Sequence, residues 1–437
     1  MVGPDEPFDA LDRQTPGQLD RWWTRRLKNL LALAARELPF YRQRFAAAGF
    51  DPASFRRLDD LARIPIFDKR DVLEAQRRTG SHEIGIELHR GPRGARTLSL
   101  SSGTAGTTLI SHDPDWRRRQ GYSSARAHWW AGLRGGAPFV LSAPAWHAYA
   151  AVQPYIAQRF EMPCIVVSGT YLPRFADRIV DAFRRFRPSF VTMFLPMVFS
   201  IVAAGRRMGF EPTEVFDGVE TLVVTGAPIT PGMRASLQQT TGVGRVAEIA
   251  GTSENLLAVD CREADGLHVV PDTCYVEVLE PETRSPVPSG ERGSVVHSYT
   301  VAAGSVYLRY DGGDAGVIER APCPCGLPSP RIKLMGRWET SFRLGGRTLL
   351  PYDVQRAIED SVPELAGSPF VLVREALAEG RLKLLLSRAD DDSTSLGDAA
   401  RDAVARRFGI PVEVAWVSDL PLQFKGVPSV LSEKEIV

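Results

Sequence analysis

Phe190-Val191-Thr192-Met193-Phe194, followed by a helical segment over 195–208 and then by Thr221-Leu222-Val223-Val224-Thr225, decides the fold class. Two short apolar strands separated by an amphipathic helix read as one strand–helix–strand unit. The alternation extends outward in both directions. Phe139–Ser142, Cys164–Val167 and Val246–Ile249 read as further strands, and 172–187 and 231–240 as further helices. Repeated units of this kind build a largely parallel sheet with helices against it. The character changes near 266: Tyr275–Leu279 and Ser294–Tyr299 flank a stretch rich in Pro, Gly and Ser, the pattern of an antiparallel β segment. From Arg337 a helix over 352–361, strands near 369–373 and 381–387, a helix over 394–408 and a strand near 412–417 make an α+β unit of about 100 residues, large enough to fold alone. Ahead of all this, Leu19, Trp22, Trp23, Leu27, Leu30, Leu31 and Ala34 form a helical stripe over 18–38. The expectation is an α/β protein: a large N-terminal domain over 1–336, with mainly parallel sheets plus a β segment, and a small α+β C-terminal domain over 337–437.

Bulk properties exclude several classes. With 44% hydrophobic and 24% charged residues, the 437-residue chain has an ordinary globular composition. Its formal net charge of +1 gives no case for nucleic acid or a membrane surface as partner. No apolar run reaches the roughly 20 residues of a membrane span. Met1-Val2-Gly3-Pro4-Asp5-Glu6 lacks the basic and apolar regions of a signal peptide, so a cytoplasmic protein is expected, whose five cysteines form no disulfide framework.

Chemistry concentrates in Leu98-Ser99-Leu100-Ser101-Ser102-Gly103-Thr104-Ala105-Gly106-Thr107-Thr108. A loop of hydroxyls and glycines after a strand-like lead-in offers backbone N–H groups and hydroxyl donors without bulk, which suits a polyphosphate. Such a run alone is more often an ordinary solvated loop. Here it stands first in an ordered series: Gly226-Ala227-Pro228-Ile229-Thr230, then Ala250-Gly251-Thr252-Ser253-Glu254, then Arg309-Tyr310-Asp311-Gly312-Gly313-Asp314, then Gly336-Arg337-Trp338-Glu339. With Leu38-Pro39-Phe40-Tyr41-Arg42 and Leu61-Ala62-Arg63-Ile64-Pro65 upstream, the series resembles adenylate-forming enzymes of the phenylacetate–CoA ligase type, within the acyl-CoA synthetase superfamily, over nearly the whole chain.

That resemblance implies ATP-dependent conversion of a carboxylic acid into an acyl-AMP with release of pyrophosphate, then transfer to CoA. Attack on the α-phosphate replaces an oxide leaving group by a phosphate monoester, and the enzyme must neutralise phosphate charge and hold the acid in line. By resemblance Ser101, Ser102, Gly103, Thr104, Gly106, Thr107 and Thr108 cradle pyrophosphate, and Glu254 holds Mg²⁺. Thr252 bonds the α-phosphate, with Gly251 and Ser253 beside it, and Asp314 takes the ribose hydroxyls. Gly226, Ala227 and Ala250 lie at the adenine. Arg337 contacts ribose or phosphate, Glu339 stands at the hinge of a mobile C-terminal domain, and Lys425 is the lysine that stabilises developing charge during adenylation, a role suited to a flexible point charge. The pattern departs from the family at several points. Thr107-Thr108 replaces Lys-Pro, Pro228 replaces Glu, Ala250 replaces a stacking aromatic, and Asp311 replaces a basic residue.

Two further groups complete the reading. Trp146, His147, Tyr149, Met193 and Phe194 supply flat, soft apolar surface that fits an aryl or aryl-alkanoic acid, although core packing is the commoner role for such residues. Cys323-Pro324-Cys325-Gly326 together with Cys261 and His268 forms a candidate Cys₃His site for structural Zn²⁺; free thiols and a surface histidine are the alternative, and Cys274 is a less apt substitute. The departures leave two alternatives to a CoA ligase: the same adenylation with an amine, a carrier-protein thiol or nitrite as acceptor in a specialised biosynthetic pathway, and a non-catalytic nucleotide-binding relative. A homodimer is common among similar proteins, and no residue pattern here marks an interface.

Overall fold

The computed structural model describes residues 7–78, 97–101, 107–113, 115–134, 138–142, 148–167, 173–302, 304–387, 393–417, 429–432 and 434. The chain forms two compact units: 1–170 with 190–192 and 247–334, and 171–189 with 193–246 and 335–437.

In the first unit the helix Pro16–Glu37 starts at a capping box. Thr15 Oγ1 accepts from Gln18 N–H at 3.3 Å, Gln18 Oε1 accepts from Thr15 N–H at 2.7 Å, and Pro16 takes the first helical position, where its missing N–H costs nothing. The predicted stripe is its buried face: Leu19, Trp23, Leu27, Leu30, Leu31 and Ala34, with Trp22 only partly covered. Each large side chain so buried contributes about 1.5–3 kcal/mol, and Trp23 Nε1 keeps its polar end satisfied by donating to the Pro271 carbonyl at 3.1 Å. This face packs on the β segment, where Cys274–Leu279 pairs antiparallel with Arg292–Tyr299, and that strand with Tyr310–Glu319. Leu256–Asp260, Leu267–Val269 and Arg331–Arg337 continue it, antiparallel to one another. The short strand Phe67–Asp68 adds in parallel to Tyr310 and Asp311. The strand–helix–strand region is parallel as expected, with Phe139 opposite both Cys164 and Phe190. The helix Trp116–Trp130 gave no periodic signal in the sequence. Its second half, Ser123–Trp130, is buried on all sides, so polar Ser123, Ser124, Arg126 and His128 share the interior with its tryptophans.

In the second unit, strand Thr221–Thr225 and helices Leu195–Arg207 and Pro231–Thr241 lie close to their predicted bounds. The C-terminal sheet runs in the order Val412–Val417, Leu382–Ser387, Phe370–Val373, Ser429–Leu431 around a core that includes Phe342, Val354, Ile358, Leu384 and Val404. Its helix Pro351–Glu359 sets a buried carboxylate against the start of Pro231–Thr241. Glu359 Oε1 accepts from the N-cap Thr230 hydroxyl at 2.5 Å and from Gln355 Nε2 at 2.9 Å. A Cβ at Gly232 would lie 2.6 Å from Glu359 Oε2, so only glycine lets the carboxylate approach the helix N-terminus.

Among the described residues, no helix is long and apolar enough to cross a membrane.

Candidate active site and candidate metal centre

The hydroxyl loop is held at its neck. Strands Thr97–Leu100 and Leu109–His112 pair antiparallel, and beyond their ends Ser101 N–H donates to the Thr108 carbonyl at 2.9 Å. Thr108 N–H and its hydroxyl both donate to Ser101 Oγ at 2.8 Å. Ser101 and Thr108 are buried, and Thr107 is exposed. Ser102, Gly103, Thr104 and Gly106, the remaining loop candidates, lie outside the described residues. Below the neck, Ser305 Oγ donates to the Ser111 carbonyl at 3.0 Å and accepts Ser111 N–H at 3.1 Å, tying the hairpin to the segment that leads into Tyr310–Glu319.

That strand carries the second part of the site. Its register with Arg292–Tyr299 jumps: Val295 faces Asp314 while Val296 faces Asp311, so Gly312-Gly313 form a bulge. Gly313 has φ +86°, a conformation open to glycine at little strain. Asp311, which stands where the family has a basic residue, supports this turn: it accepts Gly313 N–H at 2.9 Å and pairs with Arg284 at 2.6 Å. The bulge brings two candidates together. A Cβ at Gly312 would lie 3.4 Å from Asp314 Oδ2 and 3.8 Å from Thr252 Cγ2, so the carboxylate and the threonine methyl flank a glycine that leaves the space beside them open. Thr252 belongs to the tight link between Arg245–Gly251 and Leu256–Asp260: its N–H donates to the Asn255 carbonyl at 2.8 Å and its hydroxyl accepts Asn255 N–H at 3.2 Å. Ser253 and Glu254 sit buried in that link, and the Tyr299 hydroxyl donates to the Glu254 carbonyl oxygen. The Glu254 carboxylate enters no ion pair among the described residues. A carboxylate so placed suits a divalent ion that favours oxygen ligands. Ala250 is buried opposite Ala258 in the ladder, and Gly251 is exposed.

The buried group just before this strand is structural. Arg309 pairs with buried Glu277 through Nε and a terminal nitrogen, each at 3.1 Å, and donates to the Ile64 carbonyl at 2.7 Å. Tyr149 is also tied into the interior of this unit. His128 Nδ1 donates to the Ser124 carbonyl at 2.6 Å, so its Nε2 accepts the Tyr149 hydroxyl at 2.7 Å. Trp146 and His147 lie outside the described residues.

In the second unit Gly226 has φ +93°, and a Cβ there would lie 2.6 Å from Phe194 Cδ1, so the glycine backbone rests on the aromatic ring. Ala227 beside it is half-buried, and Met193 is fully buried. Arg337 follows Gly336, whose φ is +106°, and its Nε lies 3.6 Å from Glu339. Lys425 lies outside the described residues.

Cys261, His268, Cys323 and Cys325 converge. All four ligand atoms lie within 4.8 Å of one another. Cys261 Sγ is 3.8 Å from Cys323 Sγ, and Cys325 Sγ is 3.3 Å from His268 Nε2. A tetrahedron with metal–sulfur bonds of about 2.3 Å has edges of about 3.8 Å, so the spacing fits Zn²⁺. The surroundings fit too. His268 Nδ1 donates to the Ser329 carbonyl at 2.9 Å, which turns the Nε2 lone pair toward the sulfurs. Leu327 N–H donates to Cys325 Sγ at 3.4 Å, and Gly326 closes the Cys-Pro-Cys turn with φ +84°. The Cys261 thiol is held down to about 3 by a hydrogen bond from Cys325, with His268 adding to it, while that same donation and burial push the Cys325 thiol up. The cluster therefore gives up a first proton readily.

Residues 98–305 match the AMP-binding enzyme family. A phenylacetate-coenzyme A ligase of Thermus thermophilus is 27% identical over 83% of this chain and 80% of its own length. One of Pseudomonas putida is 25% identical over 80% of this chain and 78% of its own. Among solved structures, a 2-hydroxyisobutyryl-CoA ligase in its postadenylation state aligns with a TM-score of 0.85 at 20% identity, covering 100% of this chain and 94% of that one. These matches support an adenylate-forming enzyme, an AMP-forming ligase.

Sequence reasoning named Thr252, Glu254 and Asp314 but missed what sets their geometry: the Gly312 bulge, Asp311 and Tyr299. The paired glycines were a visible signal, but at this motif only the acidic replacement at Asp311 was read as a departure.

Proposed function

We propose that this enzyme activates an aryl or aryl-alkanoic acid as its acyl-AMP and transfers the acyl group to CoA. The observation that carries the reading is the meeting of Thr252 and Asp314 over Gly312. The Asp314 carboxylate would accept from ribose hydroxyls there, and Thr252, whose methyl lines the same space while its hydroxyl accepts Asn255 N–H, would stand beside the attached phosphate. Ser101 and Thr108 clasp the neck of the loop that would meet the leaving pyrophosphate. Glu254 would hold Mg²⁺, which when bound neutralises phosphate charge. The aryl preference draws on the curated relatives, which are named for phenylacetate, and on the apolar surface of Phe194 against Gly226. The Cys₃His cluster we read as a structural zinc site that ties the Cys261 turn, the Leu267–Val269 strand and the 323–326 turn together.

The test is pyrophosphate release from ATP across phenylacetate, anthranilate and 2-hydroxyisobutyrate, each with and without CoA. Release with an aryl acid that rises with CoA is the expected result, and Asp314→Asn and Lys425→Ala should each lower it by roughly a hundredfold or more. Release with 2-hydroxyisobutyrate alone would replace the aryl reading, and release indifferent to CoA would remove CoA as acceptor.

A further inference from the structure

The outer face of helix Pro16–Glu37, the turn at 55–59 and two positions of the β segment enclose an open cavity of about 770 Å³. Its lining holds six cations, Arg21, Arg25, Lys28, Arg56, Arg57 and Arg320, against two carboxylates, Asp20 and Asp59. An excess of four positive charges thus gathers around one cavity of a chain whose whole net charge is +1.

This arrangement works against the helix that carries it. Arg21 and Arg25 are four residues apart and Arg25 and Lys28 three, so like charges are neighbours on one helix face and oppose helix formation. The carboxylates present do little to offset this. Arg57 lies 3.6 Å from Asp59, but both side chains are more than 70% exposed (75% and 81%), where a pair is worth little. Asp20 faces Arg320 and Arg21, and its own carboxyl is pushed up by burial rather than held down as a well-paired acid would be. Arg25 and Lys28 enter no ion pair among the described residues. On the far wall Arg320 lines the cavity together with the buried Tyr275.

We propose that this cavity binds a small phosphate-bearing polyanion, at a site distinct from the adenylate-forming residues. Its volume falls in the range of small-ligand pockets, roughly 300–1,000 Å³, and is too small for a folded partner. Five guanidinium groups and one lysine around one space suit phosphate oxygens, which arginine forks grip in pairs and lysine meets as a point charge. None of the lining residues belongs to the hydroxyl loop, the Thr252 link or the Gly312 bulge, so the site stands or falls independently of the acyl-AMP reading. Two sources share this chemistry: an inorganic polyphosphate, and a nucleotide with phosphates on both the 3′ and 5′ positions.

Hydrogen–deuterium exchange of the full-length protein at low salt tests it, with inorganic tripolyphosphate and adenosine 3′,5′-bisphosphate as separate probes. The expected result is slowed exchange in peptides covering 20–29 and 55–59 with at least one probe; tripolyphosphate alone identifies an inorganic ligand, the bisphosphate alone a nucleotide. In the double variant Arg25→Glu/Lys28→Glu that protection should need about tenfold more probe or more, while acid-dependent pyrophosphate release stays unchanged. Arg25→Gln/Lys28→Gln, which removes charge without reversing it, serves if the first variant does not fold. Protection confined to peptides covering 98–112 and 250–256, equal protection in wild type and variant, or slowing at 20–29 by poly-glutamate but by neither phosphate probe would each overturn the proposal.

Discussion

Arg126→Met isolates the most highly charged point of the interior. Arg126 is 1% exposed by side chain and faces three carboxylates: Asp9 at 2.5 Å, Asp12 in direct contact, and Asp272 at 3.4 Å. The acids have their own partners. Trp130 Nε1 donates to Asp12 at 2.8 Å, Phe8 N–H to Asp12 at 2.9 Å, and the Tyr122 hydroxyl to Asp9 at 2.7 Å. Methionine fills much of the aliphatic volume, so the change removes the charge more than the packing. What remains is a buried Asp12 and a half-buried Asp9 without their cation, a situation that costs about 3–5 kcal/mol. With roughly 2.1 cal/mol/K of unfolding entropy per residue and a unit of about 260 residues, a loss near 4 kcal/mol lowers Tm by about 7 °C. The pH dependence separates this cause from simple repacking. In the native protein the Asp9 carboxyl is held below its ordinary value by Arg126 despite the opposing effect of burial, so its stabilising contribution is lost as pH falls through that lowered value. In the variant the orphaned carboxyls titrate higher, and protonation relieves them. The stability gap between wild type and variant should therefore narrow from pH 7 to pH 5, read by calorimetry or denaturant titration. A gap under 1 kcal/mol, or one that does not change with pH, refutes the reasoning.

Other expectations follow from the same interior. Burial lowers His112 to about 3 and both His128 and His297 to about 4. Each is neutral when folded but protonates near 6.5 when unfolded, so stability is full above pH 6.5 and falls by about 1.4 kcal/mol per pH unit per histidine down toward pH 4. Urea midpoints measured from pH 7.5 to 4.5 check this, and a flat profile would contradict it. Removing zinc with a strong chelator should lower Tm by several degrees and release about one equivalent of metal, with Cys325→Ser reproducing the shift; a metal-free preparation of unchanged Tm would dismiss the structural zinc. Gly226→Ala puts a methyl 2.6 Å from the Phe194 ring at φ +93°, which should cost about 2–3 kcal/mol of stability, measured by thermal unfolding. Gly312→Ala meets only ordinary contacts at 3.4 and 3.8 Å. It should fold normally yet weaken ATP binding about tenfold by filling the space between Thr252 and Asp314, and unchanged ATP binding would place the nucleotide elsewhere.

Much of the architecture was legible because burial imposes simple patterns. The strands Phe139–Ser142, Phe190–Phe194, Thr221–Thr225 and Val412–Val417 were read with the bounds they have, since each is a short apolar run closed by turn or helix signals. The helix Trp116–Trp130 was missed for the converse reason. Its second half, Ser123–Trp130, has no solvent face to create a stripe, and its buried Arg126 and His128 look like surface residues until Asp9, Asp12 and Tyr149 are folded onto them from 117, 114 and 21 residues away. The cysteine cluster was legible as a set of soft ligands, but its fit to a metal rests on His268 and Ser329, whose contact spans 61 residues and leaves no mark in either local sequence.

The candidate site residues show the same limit at closer range. Asp314 was found by its place in an ordered series, and Asp311 was read as a lost positive charge. The bulge connects the two observations. Once Gly312-Gly313 are inserted opposite Val295 and Val296, the chain needs an acceptor for the Gly313 N–H, and a short acidic side chain two residues earlier supplies it. A long basic side chain at 311 could not make that bond. The substitution at 311 and the glycine pair are therefore one structural change rather than two defects in a nucleotide site, and Asp311→Arg should damage the enzyme more than its resemblance to the family pattern would lead one to expect. Asp311→Asn keeps an acceptor for Gly313 and loses only the Arg284 pair, so it should retain most of the pyrophosphate-release activity; if Asp311→Arg proves the more active of the two, the bulge is not what holds Asp314 in place.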